Sequence, residues 1–345
     1  MFKTSHMVGP GVRAVYDITT GKTVIKSLGG GRRNQQPQAN EHTLDADWLK
    51  IMGVNKKMVT SIHVQGEKIY LPENSCGIFG GLENMSEITL DKFDTSRVKI
   101  MVSMFENAHA LKKIDLSHFD MSNVNTVAGM FSHCTNLAEL EIGSMNTSKV
   151  GCMRQMFCGC FKLRKIDLSR IDVSQVWSME QMFRNCYALE EIDLHEQDMK
   201  ALQTTKGMFS RCAKLKKADF SGWHAPKLID ANGMFEECRN LRDISMYGTN
   251  SMYICDMSAM FADCNDLENV NLGNTTPKTT YAEKMFRNCV SLTSLDLSGI
   301  DVSEAKTMNK MFAGCKNLLE VKMNTATDAG TDTRDMFKNC PARVI

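Results

Sequence analysis

Apolar residues recur along this chain with a period of about 26 residues. The clearest marker is a Met-Phe pair that occurs ten times, at steps of 26 residues except for two steps of 25. The pairs are Met104-Phe105, Met130-Phe131, Met156-Phe157, Met182-Phe183, Met208-Phe209, Met234-Phe235, Met260-Phe261, Met285-Phe286, Met311-Phe312 and Met336-Phe337. A fixed period of this length predicts a stack of coils, in which each coil buries its apolar side chains against its neighbours.

Two kinds of apolar spacing follow each other within one coil. Ile114 and Leu116 are two residues apart, so both face one side of a predicted strand, while Lys113 and Asp115 face the other side. After a turn at Asp120 come the apolar residues Val124, Val127, Met130, Phe131 and Cys134. Their steps of three, three, one and three residues are typical of the apolar stripe of a helix. We therefore predict an α/β repeat with one short parallel strand and one short helix in each coil.

The pattern divides the chain into three parts. Residues 1–47 do not repeat; segments 15–18 and 23–26 flank a Gly-containing turn and predict a hairpin, and residues 29–40 predict a flexible linker. Residues 48–77 predict a degenerate N-terminal capping coil, because terminal coils must cover the core on one side. Residues 78–345 predict a solenoid of about ten coils.

The composition and charge of the chain limit which partners and compartments we expect. The formal net charge of +1 gives no electrostatic reason to expect nucleic acid or an anionic membrane as partner. No apolar run approaches the roughly 18 residues that a membrane span needs. Residues 1–20 contain no apolar stretch suited to a secretory signal. We therefore expect a soluble chain without a Sec-type export signal.

Nine of the 13 cysteines lie three residues after a repeat phenylalanine, and Ala108 takes this position in the remaining repeat. They are Cys134, Cys160, Cys186, Cys212, Cys238, Cys264, Cys289, Cys315 and Cys340. Alanine in the same position predicts a ladder of small buried side chains, and no disulfide framework or metal site. Phosphate-binding loops and paired C-x-x-C motifs are missing from the sequence. We expect no enzymatic activity, catalytic residue, metal or cofactor.

The repeat L-x-x-I-D-L-S-x-x-D-x-S-x-V-x-x-M-x-x-M-F-x-x-C resembles that of the BspA-type leucine-rich-repeat surface proteins, including the related repeat of mycoplasma lipoproteins. The resemblance implies a leucine-rich-repeat solenoid. It also implies a bacterial protein of the kind displayed on surfaces and linked to adhesion or host-protein binding. The odd number of cysteines and the missing export signal favour instead a cytoplasmic or non-classically secreted protein. Both compartments stay open on the sequence alone.

The outward strand positions of successive coils form two ladders with steps of about 4.8 Å. The candidate partner-binding residues are Lys113, Asp115, Lys165, Asp167, Glu191, Asp193, His195, Lys217 and Asp219, together with Trp177, which is predicted to be exposed elsewhere in its coil. An acidic patch around Glu191 and Asp193 is suited to a basic segment of a partner or, less well, to a cation. The alternative is a solubilising face in which lysines offset the stacked carboxylates.

These patterns lead to a non-catalytic protein-binding solenoid that acts in adhesion or in host or partner-protein interaction through its concave strand face. The alternative is a targeting module of a larger enzyme, or an injected effector that acts inside a cell. The expected partner is a protein; we expect no nucleic acid and no membrane span. The last coil shows no polar cap, so an end-to-end homodimer through the C-terminal coil is a further possibility.

Overall fold

The computed structural model describes residues 3–28, 42–143, 146–194, 197–246, 254–272, 278–324 and 330–345. The chain forms two compact units. Unit 1 comprises Met1–Val150 and Gly159–Phe161, and unit 2 comprises Gly151–Cys158 and Lys162–Ile345. The predicted linker at 29–40 lies outside the described residues.

Unit 1 begins with three strands joined by short turns. Its elements in chain order are β1 (Lys3–Gly9), β2 (Val12–Asp17), β3 (Lys22–Ser27), α1 (Trp48–Ile51), a 3₁₀-helix (Lys56–Met58), β4 (Ser61–Gln65), β5 (Ile69–Tyr70), β6 (Glu87–Ile88), β7 (Phe93–Asp94), β8 (Lys113–Asp115) and β9 (Glu139–Glu141). Strands β1, β2 and β3 are antiparallel neighbours, and β3 continues into parallel pairing with β4 and then β6. The N-terminal strands therefore extend the strand row of the first coils.

Two side chains cover the N-terminal end of the first coil in unit 1. Trp48 is fully buried and packs edge-on against Phe79, with ring centroids 6.4 Å apart. Its indole Nε1 donates to the carbonyl of Ile78 at 2.9 Å, and Lys56 Nζ donates to the carbonyl of Gly80 at 2.8 Å. Trp48 and Lys56 thus supply apolar cover and hydrogen-bond donors to two backbone carbonyls of this coil.

Unit 2 contains short parallel strands at one position of most of its coils. They are β10 (Glu191–Asp193), β11 (Lys217–Asp219), β12 (Asp243–Ser245), β13 (Asn269–Asn271), β14 (Ser294–Asp296), β15 (Glu320–Lys322) and β16 (Arg343–Val344). Strands β10 to β13 form one parallel sheet and β14 to β16 another. In each three-residue strand the middle side chain points to the core and its two neighbours point outward.

The predicted helix of each coil is not present. Among the described residues α1 is the one α-helix, and the Met-Phe region of each coil consists of consecutive tight turns. We call this region the turn segment; residues 205–212 are an example. Met208 N donates to Thr205 O at 2.9 Å and Cys212 N donates to Phe209 O at 2.9 Å, each three residues back.

The third residue of each of these turns has a left-handed backbone, with φ of +58° at Gly207 and +64° at Arg211. A positive φ at this place is the mark of a type II turn, and it breaks a right-handed helix. Two successive four-residue turns return an apolar side chain to the core every three or four residues. They therefore reproduce the apolar spacing of a helix, so this spacing by itself does not distinguish the turns from the predicted helix.

The cores of both units are built on stacked phenylalanine rings. In unit 1 the rings of Phe79, Phe105 and Phe131 follow one another at 5.5 and 5.4 Å. In unit 2 the stack runs through Phe157, Phe183, Phe209, Phe235, Phe261, Phe286, Phe312 and Phe337, with centroid spacings of 5.1–5.9 Å. Near-parallel, buried rings of this kind hold successive coils in register.

Candidate partner-binding faces

The strand face of unit 2 is an in-register array of polar side chains. Glu191 lies beside Lys217, which lies beside Asp243, and Asp243 lies beside Asn269. All four side chains are exposed. Asn269 Nδ2 donates to Asp243 Oδ1 at 2.7 Å, so neighbouring coils are also joined through these side chains. The face combines acidic, basic and amide groups at the spacing of a parallel sheet.

The second outward position of the strands has a structural role. Asp115, Asp167 and Asp219 each accept, through Oδ1, a hydrogen bond from the backbone N–H of the serine two residues later, at 2.8–2.9 Å. The serine hydroxyl and N–H lower the pKa of Asp115 and Asp167, and the N–H and hydroxyl of Ser221 lower the pKa of Asp219. These carboxylates stay ionised and fix the turn that ends each strand.

The structure brings together only part of the predicted partner-binding set. Within unit 2, Glu191 pairs in register with Lys217, and Asp193 pairs with Asp219. Lys165 and Asp167 belong to the same unit but lie outside its named strands, and both are exposed. Lys113 and Asp115 lie on β8 of unit 1, beside Glu139 and Glu141. His195 lies outside the described residues.

Trp177 does not lie on the strand face. It is 48% exposed and belongs to a row formed by the residues that precede the turn segments. In this row Gln203 N donates to Trp177 O, Ile229 N to Gln203 O, and Cys255 N to Ile229 O, at 2.9–3.0 Å. The row therefore runs from coil to coil with backbone hydrogen bonds between neighbours.

Two large apolar side chains lie in this row, two coils apart. Ile229 is 49% exposed, like Trp177, and we call these two residues the apolar strip. Tyr281 lies beside the row, because Thr280 takes the row position and Tyr281 pairs with Asp256 in the neighbouring column. Of the strip, Trp177 alone was predicted from the sequence. Ile229 stands out when the residues at this position are compared across all coils, because polar residues or glycine occupy it in most others.

The buried cysteines are hydrogen-bond donors in the core. In unit 2 the thiol of Cys238 donates to the carbonyl of Phe209 at 3.1 Å, and the thiol of Cys264 donates to that of Phe235 at 3.1 Å. Burial raises the pKa of Cys315 to about 12 and that of Cys264 well above its usual value. Protonated, buried thiols are poor nucleophiles and poor metal ligands at neutral pH.

The part of the chain that the structure describes contains neither a metal-binding cluster nor a membrane-spanning helix. No group of three or more His, Cys, Asp or Glu side chains is placed to hold a metal ion there. Over the same residues, no helix has the length and apolar character required to cross a membrane.

Several solved structures resemble this fold at low identity. A leucine-rich cell surface protein from Faecalibacterium prausnitzii is 15% identical, over 99% of this chain and 94% of that chain, with a TM-score of 0.34. A leucine-rich-repeat protein from Eubacterium ventriosum is 15% identical, over 85% of this chain and 90% of that chain, with a TM-score of 0.31. A leucine-rich-repeat protein from Leptospira interrogans is 13% identical, over 88% and 71% of the two chains, with a TM-score of 0.25.

The sequence has no match among curated proteins. One family model matches three overlapping segments, 73–139, 134–247 and 229–343, which together cover most of the chain and nearly all of its repeats. This match confirms the resemblance to the mycoplasma repeat. The chain therefore belongs to the family described as "Mycoplasma protein of unknown function, DUF285".

Proposed function

We propose that this chain is a non-catalytic protein-binding solenoid, whose role is adhesion or the recognition of a host or partner protein through its strand face. The observation that carries the proposal is the contrast between the two sides of each strand. The middle residues of β10 to β13 are all apolar and face the core, whereas the outward residues change charge from coil to coil. A fixed core with a variable exposed face is the usual arrangement of binding solenoids.

The first outward position of each strand, which Glu191 and Lys217 occupy, is the better candidate for contact with a partner. Both Glu191 and Lys217 are exposed. Neither takes part in the turn in which Asp219 accepts a hydrogen bond from Ser221 N–H. Glu191 lies in the same strand as Asp193, so two carboxylates project from β10. A basic segment of a partner protein would complement these two carboxylates. Lys217 in the next coil carries the opposite charge, so the partner must match a negative position followed by a positive one.

The experiment begins with affinity capture from host and self extracts, using the whole chain, and mass spectrometry of the captured proteins. The Kd of each captured partner is then measured for the natural chain and for the double variant Glu191→Lys/Asp193→Lys. We expect about a tenfold or greater loss of affinity, because charge reversal places like charges opposite each other.

A matched control carries the same change of net charge away from the strand face. Glu236→Lys/Asp266→Lys alters two partly exposed acids of unit 2 that lie outside its strands. We expect this variant to bind within about twofold of the natural chain. Equal losses of affinity in both double variants would contradict binding through the strand face. An unchanged affinity in Glu191→Lys/Asp193→Lys would contradict it too. A large loss in Trp177→Ala alone would place the partner on the apolar strip.

A further inference from the structure

A row of charged side chains runs along unit 2 beside the strand face. It consists of the residue that precedes the first outward position in five consecutive coils, and all five side chains are exposed. We call this the charged row: Arg164, Glu190, Lys216, Arg242 and Glu268. From the second residue onward, each backbone N–H donates to the carbonyl of the residue before it in the row, at 3.0–3.1 Å. The row therefore follows the coils in register, with one charge in each coil.

The charges of this row do not pair with one another. None of the five side chains forms an ion pair or a hydrogen bond with another described residue. Elsewhere in unit 2, opposite charges on neighbouring coils do pair. Arg154 Nε lies 3.4 Å from Glu180 Oε2. Arg211 Nε lies 2.9 Å from Glu237 Oε1. The side chains of the charged row instead extend into solvent, where a partner can reach them.

The signs along the charged row are positive, negative, positive, positive and negative. The first outward position repeats the beginning of this order with Lys165, Glu191 and Lys217, all of which are exposed. Two neighbouring rows therefore present a positive, a negative and a positive coil in succession. A partner that lies along the first four coils of the row must offer acidic, basic, acidic and acidic groups in that order.

The distance between coils selects the kind of segment that can carry those groups. Neighbouring coils are about 4.8 Å apart, so the first four charges lie at about 0, 4.8, 9.6 and 14.4 Å along the row. In an α-helix, side chains at positions i, i+3, i+7 and i+10 share one face and rise by about 4.5, 10.5 and 15.0 Å from the first. The two series differ by less than about 1 Å at every position.

Other backbone forms suit the charged row less well. An extended segment places side chains of one side about 6.7 Å apart, so its third side chain lies about 4 Å beyond the third coil. A facing β-sheet has the required spacing, but packed sheets bury apolar side chains between them. Both rows are charged in the coils of Arg164, Glu190 and Lys216, so a second sheet would bury these charges.

We propose that the charged row binds an α-helix of a partner protein, which lies along the row and carries acidic, basic, acidic and acidic side chains at positions i, i+3, i+7 and i+10. The acids at i and i+7 face Arg164 and Lys216. The base at i+3 faces Glu190 and Glu191 of one coil, and the acid at i+10 faces Arg242. This inference rests on the proposed binding of a partner protein through the strand face, and it names the form and charge pattern of that partner.

The test uses the whole chain and a labelled, alanine-based helical peptide with Glu, Lys, Glu and Glu at these four positions. Binding is measured by fluorescence anisotropy at about 0.01 M ionic strength, where charges act over about 30 Å. One control peptide has the same composition with the four residues at i, i+2, i+4 and i+6, which divides them between opposite faces of the helix. A second control has every sign reversed. We expect the first peptide to bind at least about tenfold more tightly than either control.

A variant of the chain exchanges the signs of the row: Arg164→Glu/Glu190→Lys/Lys216→Glu/Arg242→Glu. All four side chains are exposed, so we expect the variant to fold, which circular dichroism and urea unfolding check. The tenfold preference should then pass to the sign-reversed peptide, measured against a sign-reversed peptide with the control spacing. A change in net charge alone would not produce this dependence on spacing.

Two results would show that the proposal is wrong. In one, the natural chain binds the first peptide no better than the control of altered spacing. In the other, the preference does not pass to the sign-reversed peptide in the fourfold variant. If a captured partner nevertheless loses affinity in Glu191→Lys/Asp193→Lys, the strand face binds that partner in another form, and the proposed function stands without the helix.

Discussion

Replacing Gly207 with alanine tests whether the Met-Phe region forms turns or the helix that the apolar spacing predicts. In an exposed helix, Gly→Ala stabilises the fold by about 1 kcal/mol, because alanine has less backbone freedom to lose. In this structure Gly207 has a φ of +58°. Alanine is disfavoured there, since its Cβ approaches the carbonyl oxygen that follows. A turn and a helix therefore predict opposite changes in the free energy of unfolding for this one substitution.

The surroundings of Gly207 make the expected magnitude simple to derive. A Cβ built on this residue would lie 3.4 Å from Gln181 Cγ and 3.9 Å from Ser210 Cβ, which are ordinary contacts. No clash adds to the backbone term. We expect Gly207→Ala to lower the free energy of unfolding by about 1–2 kcal/mol, the cost of a left-handed backbone at a residue with a Cβ.

The assay is urea unfolding of the natural chain, Gly207→Ala and Gly233→Ala, followed by far-UV circular dichroism and tryptophan fluorescence. Gly233 is a second instance, with φ of +59° and no atom within 3.5 Å of a built Cβ. Asn232→Ala is the control, because the backbone of Asn232 itself is not left-handed. An increase of the unfolding midpoint in both glycine variants would refute the turn assignment and restore the helix.

Two further outcomes follow from the aspartates and the thiols. Serine hydrogen bonds lower the pKa of Asp115, Asp167 and Asp219 below the usual 3.8, so their contribution to stability is present at neutral pH and is lost as the pH falls below about 4. The urea midpoint should fall there, and less steeply in Asp219→Asn; an equal slope would contradict the turn role. Iodoacetamide should label the exposed Cys76 and Cys255 in the native chain, and Cys264 only after unfolding, as read by peptide mass mapping. Native labelling of Cys264 at the rate of Cys76 would count against the buried ladder.

Periodicity predicted the core of this protein well, because burial depends on spacing alone. The repeat Met-Phe pairs before the last coil and the ladder cysteines before Cys340 are buried. The strand at Lys113–Asp115 also lies where the two-residue alternation placed it. Spacing does not report backbone handedness, so turns and helix gave the same apolar pattern. Residue types carried the missing signal, since Asn107, Asn185 and other asparagines and glycines recur two residues after the phenylalanine, where left-handed backbone is tolerated.

The candidate partner-binding faces could be predicted only in part from the sequence. The exposure of Trp177 was predicted from its position among polar residues, but its relation to Ile229 depends on which residues stack between coils. The thiols were interpreted as small apolar groups, since Ala108 takes the same position, and the spacing does not show that they donate hydrogen bonds to phenylalanine carbonyls.

The hydrogen bonds between successive turn segments of unit 2 have an electrostatic consequence. Phe209 N donates to Met234 O and Phe235 N donates to Met260 O, both at 2.8 Å, so each turn segment presents N–H groups to the coil that follows it. Each peptide unit carries a dipole of about 3.5 D, and units that point the same way add their fields. The positive ends of these dipoles point toward later coils, which is the reverse of an α-helix, whose C-terminus is negative. A carboxylate beside the later edge of a turn segment is therefore favoured over a carboxylate beside its earlier edge, and added salt weakens that preference.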